Sequence, residues 1–70
     1  MQRTEVASTS LASIGYDAAS RTLEVEFRSG AVYHYHSVPL AVARALAGAE
    51  SIGGYFMRRV RGAYGYERVE

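Results

Sequence analysis

Two histidines, His34 and His36, alternate along one stretch and would share a strand face, a spacing at which two imidazoles can hold a metal ion if a third ligand arrives. The chain has no cysteine and no third histidine, so an exposed polar pair beside Glu24 and Glu26 is the simpler account, and no metal or other cofactor is expected. Ser37 follows His36 directly, but sequence neighbours at a strand exit point apart, whereas nucleophilic catalysis needs hydroxyl, base and acid aimed at one spot. No catalytic residue is assigned and the protein is not expected to be an enzyme. The run Ser51-Ile52-Gly53-Gly54 offers free backbone N–H groups at a helix start, which can hold a phosphate. It lacks P-loop spacing and the P-loop lysine, so a serine cap with close-packed glycine is favoured. Arg58, Arg59 and Arg61 could neutralise backbone phosphates, with Arg68 further along and Tyr55 and Tyr66 as stacking faces. The plainer alternative for these arginines is a solvated helix face, where cations also suit a helix C-terminus.

The residues that must position these groups number only 70, enough for one domain with a small core. All eight basic residues are arginine, against seven acidic ones, with neither lysine nor asparagine anywhere. That usage fits a GC-rich, bacterial genome and weakens any case that arginine was selected for its forked geometry. A net charge of +1 does not announce a nucleic-acid binder, although segregated charge can still attract phosphates. No apolar run approaches the ~20 residues that span a bilayer. No hydrophobic signal region follows Met1 either, so a cytoplasmic protein without membrane or small-molecule partners is expected.

Residues 1–9 are polar and read as a flexible N-terminal segment. Within Ser10 to Asp17, Ala12, Ile14 and Tyr16 alternate with polar or small residues, and Leu11 is out of phase, which predicts a bulge. Asp17 to Arg21 reads as a turn, followed by strands over Thr22–Phe27 and Ala31–His36. Pro39 opens a first helix that ends near Gly48. Ser51 caps a second helix running to Gly62, with Ile52, Phe56 and Val60 as its apolar stripe. The fold class is therefore α+β: a three-stranded antiparallel meander followed by two short helices packed on one face. Residues 65–70 form a tail, either irregular or a short fourth edge strand.

Turn chemistry at Arg28-Ser29-Gly30 sets the register of the central hairpin. A three-residue loop ending in a left-handed glycine puts Val25 opposite Tyr33 and Leu23 opposite Tyr35, so both tyrosines are mostly buried and His34 is exposed. A two-residue Ser29-Gly30 turn would reverse the faces and expose the tyrosines. The tight turn prefers Asn-Gly or Asp-Gly, which favours the longer loop.

Ser13-Ile-Gly-Tyr-Asp17, Leu23-x-Val-x-Phe27, Gly30-x-x-Tyr-x-Tyr35, Val38-Pro39 and Ser51-x-Gly-x-Tyr-Phe56 occur in that order. The combination resembles the KTSC domain, named from the C-terminus of some lysyl-tRNA synthetases and also found as small stand-alone bacterial proteins. The resemblance covers Val6 to Tyr64 and sets the domain at residues 10–64. It departs from the family at Met57, where an asparagine is usual. It implies that Tyr33, Tyr35 and Phe56 are motif residues of mainly structural weight. It also implies a non-catalytic domain of unknown function, for which the synthetase association suggests RNA, either tRNA or single-stranded. The alternative is a protein–protein interaction or assembly module using a free sheet face or edge strand.

Overall fold

The computed structural model describes residues 1–70. One antiparallel sheet takes its strands in chain order: β1 (Arg3–Glu5), β2 (Leu11–Asp17), β3 (Thr22–Phe27), β4 (Val32–Tyr35) and β5 (Tyr66–Arg68). Between β4 and β5 come α1 (Leu40–Ala47) and α2 (Ile52–Tyr55), the latter continuing as a π-helical turn over Phe56–Val60. The α+β class and the order of three strands then two helices agree with the sequence. The count of three strands does not: residues 65–70 take the edge-strand alternative as β5, and the N-terminal segment adds β1, to give five. Both additions are short and largely polar, so they carry no apolar alternation. Backbone hydrogen bonding to the open edges of β2 and β4 specifies them instead.

The hairpin register follows the three-residue loop. Phe27 N–H donates to the Ala31 carbonyl at 2.9 Å, Gly30 N–H donates to the Phe27 carbonyl at 2.9 Å, and Gly30 has φ 97°. Leu23 then faces Tyr35 and Val25 faces Tyr33. Tyr35 is buried and Tyr33 half-buried. His34 is half-buried rather than exposed, because it lies against a carboxylate on its own face of the sheet. The expected irregularity in β2 falls between Leu11 and Ser13, and it turns Leu11 fully inward.

Leu11, Ile14, Leu23, Val25, Tyr35, Val38, Leu46, Phe56 and Val60 form one core between the sheet and the helices. Helix α1 buries Ala43 and Leu46. The second helix departs from the continuous α-helix expected over 51–62: Arg61 N–H donates to the Phe56 carbonyl, five residues back, at 2.9 Å. Two glycines weaken the opening turn. The wider second turn sets both Phe56 and Val60 on the sheet, 2% and 0% exposed. Arg61 leaves the helix with extended backbone (φ −63°, ψ 126°), and Gly62 at φ 80° turns the chain toward β5.

On the opposite face of the sheet, one cross-strand row runs Arg3, Gly15, Glu24, His34, Glu67. The Glu24 carboxylate accepts from Arg3 Nη1 at 3.0 Å and from His34 Nε2 at 2.9 Å. Gly15 lies between Arg3 and Glu24 in this row. A Cβ there would stand 2.5 Å from the Gln2 carbonyl oxygen and 3.1 Å from Arg3 Cγ, so the absent side chain leaves the path by which Arg3 reaches Glu24.

Candidate nucleic-acid interface

Alternation puts Tyr33 and Tyr35 of β4 on the helix side, and the β4–β5 register puts Arg68 opposite Tyr33 and Tyr66 opposite Tyr35 on that same side. The rings of Tyr33 and Tyr35 are stacked, with centroids 6.4 Å apart. Tyr66 lies 5.7 Å and 5.5 Å from them. Phe27 and Phe56 meet these rings edge-on: Phe27 is 5.4 Å from Tyr33, and Phe56 is 5.4 Å from Tyr35. Such edge-to-face pairs suit the ring quadrupole and hold the cluster in one arrangement. The five rings line an open basin of about 690 Å³.

Arg61, arriving from the end of the π-helical turn, and Arg68 of β5 line the same basin. No carboxylate lines it, and neither arginine is ion-paired. Arg68 Nε donates to the Glu70 backbone carbonyl at 2.9 Å, while the one hydrogen bond of the Arg61 side chain goes to Met57 Sδ at 3.6 Å. Tyr66 is 61% exposed and presents its ring to solvent. Burial pushes the Tyr35 phenol above its ordinary pKa, with the neighbouring Tyr33 and Tyr66 phenols adding to the rise and Arg61 opposing it. The basin therefore offers aromatic faces, tyrosine hydroxyls and two arginines with no acidic side chain beside them.

The expected nucleic-acid residues are only partly brought together. Arg61, Arg68 and Tyr66 meet at the basin, joined by Tyr33, Tyr35 and Phe56 from the motif set. Arg58 and Arg59 are exposed outside it, and Tyr55 packs at the edge of the core. Sequence reasoning missed Phe27 and Met57 as lining residues. It also assigned Tyr33 and Tyr35 to the core alone, where they also serve as walls. The signal was the alternation of Tyr66 and Arg68, which puts both on the tyrosine face once β5 pairs with β4.

The other candidates divide differently. His34 pairs with Glu24, whereas His36 Nε2 lies 3.3 Å from Glu67 Oε1, and no three potential metal donors converge. Ser51 Oγ accepts from Gly54 N–H at 3.1 Å, the capping role rather than a free phosphate cradle. A second hollow of about 480 Å³ lies between β1 and α1, where Val6, Ile14, Ala43 and Ile52 are among its lining. It contains no basic side chain, so it offers a phosphate nothing.

The profile of the KTSC domain matches residues 7–64, nearly the stretch that carries the sequence resemblance. An uncharacterized protein of Stutzerimonas stutzeri is 50% identical over 56 residues, covering 80% of this chain and 79% of that protein. A lysine–tRNA ligase of Trichormus variabilis is 43% identical over 54 residues, which is 77% of this chain and 10% of the ligase. A crystal structure of a KTSC domain protein from Yersinia pestis matches with a TM-score of 0.96 at 33% identity, over 99% of this chain and 97% of that one. With the profile spanning β2 through both helices and a solved relative sharing the fold nearly end to end, the chain belongs to the KTSC domain family.

Proposed function

We propose that this domain is a non-catalytic RNA-binding accessory module, one that holds an unpaired base against the aromatic basin. The observation that carries the reading is the exposed Tyr66 ring set beside two arginines without carboxylate partners. Single-stranded RNA is recognised by stacking unpaired bases on aromatic rings while cations hold the backbone, and both components are present here. Similarity to part of a lysine–tRNA ligase supplies a setting in which a weak RNA contact, tethered to a larger RNA binder, gains from effective concentration. A cytoplasmic location goes with that setting; no helix is long and apolar enough to cross a membrane.

The test is a titration of labelled single-stranded RNA and of tRNA at several salt concentrations. Two phosphate contacts give log K a slope of about −1.4 against log salt for a single strand. Replacing Arg61 and Arg68 together by alanine should flatten that slope, whereas the Arg58→Ala/Arg59→Ala pair should leave it nearly unchanged. Absence of binding at low salt, or binding indifferent to both double changes, removes the basin as an RNA site and favours the protein-interaction alternative.

A further inference from the structure

The floor of the basin carries an unspent hydrogen-bond donor. Tyr35 is 3% exposed, and its hydroxyl bonds to nothing in the fold. No fully buried polar atom lacks a partner, so this oxygen reaches solvent, and the basin is the one hollow that Tyr35 lines. The Tyr33 and Tyr66 phenols and the Arg61 guanidinium lie close enough to act on its charge. Every charged side chain lining the basin is an arginine, and there is no carboxylate or side-chain amide among them to accept a ligand's N–H.

We propose that the basin selects guanine among unpaired bases, reading its acceptor-only O6/N7 edge with the Arg61 guanidinium and the Tyr35 hydroxyl while the base stacks on Tyr66. The proposal rests on the RNA-binding reading and names the base it prefers. A guanidinium fork matches the two adjacent acceptors of guanine, whereas adenine presents a donor amine at the equivalent edge and cytosine presents one as well. Those amines would face the Arg61 guanidinium, a donor-only group, which is the costly mismatch; only a hydroxyl, which accepts as well as donates, could receive one of them. A phosphate is a poorer occupant of the floor: to reach Tyr35 it would shed its hydration among five aromatic rings, whereas a base enters by stacking. Arg68, on the exposed edge strand, is left to the phosphate, so with Arg61 on the base the salt slope falls from about −1.4 to about −0.7. Burial keeps the Tyr35 phenol protonated, hence a donor, throughout the neutral range.

The experiment uses fluorescence anisotropy with three short single-stranded RNA probes: all adenine, adenine with one central guanine, and the same with 7-deazaguanine. The guanine probe should bind about tenfold more tightly than the all-adenine probe, within the discrimination expected of one bidentate contact. The 7-deazaguanine probe should lose most of that gain. Tyr35→Phe removes only the hydroxyl and should reduce the guanine-over-adenine ratio of affinities several-fold. Arg61→Lys, an exposed change that keeps the charge and discards the fork, should do the same and covers the case in which the core variant fails to fold. Equal binding of the adenine and guanine probes, or a guanine preference that survives both variants, overturns the base assignment and leaves RNA binding standing. Absence of binding by all three probes at low salt overturns both.

Discussion

Tyr35 shows how one side chain can be both core and site. Its ring is sealed among Leu23, Tyr33 and Phe56, while its hydroxyl ends at the basin. The phenol pKa is raised in the fold above its ordinary value of 10.0. The folded protein thus keeps a proton that the unfolded chain loses first, so the associated stability is fully present below pH 10.0 and is lost as pH climbs through the folded value. Thermal melts across the alkaline range should show Tm falling more steeply for the wild type than for Tyr35→Phe; parallel curves would remove the linkage. The buried half of this residue was legible in the sequence, since turn chemistry at Gly30 fixed its face. The exposed half was not, because it depends on which strand lies next to β4.

Elements whose specification is local were readable, and those specified by docking were not. Thr22–Phe27 and the Arg28-Ser29-Gly30 loop carry alternation and a left-handed glycine, and they fold as expected. β1 has no such signal. It is held by its ladder to β2, by Arg3 on Glu24, and by Arg28, whose guanidinium donates to the Ser8 and Val6 carbonyls beyond it. Gly15 permits the close approach of this strand. Gly15→Ala should cost about 1–3 kcal/mol, the range for forcing an extra methyl into a filled space. Gly65→Ala, where nothing lies within 4 Å of the added atom, should cost much less. Denaturant midpoints compare the two; equal losses would mean that the contact between Gly15 and β1 does not constrain the strand. The π-helical turn was illegible for another reason, because Phe56 and Val60 are also spaced correctly for an α-helix. Only packing on the sheet chooses between the two.

At the scale of the whole molecule, charge is arranged rather than abundant. Glu24 is paired with Arg3 and hydrogen-bonded to His34 on the open sheet face, and the basin on the helix side carries arginines alone among its charged lining. This separation is why a net charge of +1 says little about what the surface attracts. It also leaves the histidines committed to two different carboxylates rather than to a shared ion. Excess chelator should therefore leave the melting temperature unchanged, and a clear drop would show that coordination contributes to folding.

The strictly sequential strand order has a kinetic corollary. Every strand pairs with its neighbour in the chain, so the sheet can close one short loop after another, except where the two helices separate β4 from β5. Loop closure grows costlier with length, which makes β5 the last strand to join and the first to fray. That strand brings Tyr66 and Arg68. In hydrogen exchange its amides would open by local fluctuation far below the free energy of global unfolding, and the basin would form and dissolve with them. A ligand seated there would slow exchange at the end of the chain, so that order in the final strand and occupancy of the basin become one equilibrium.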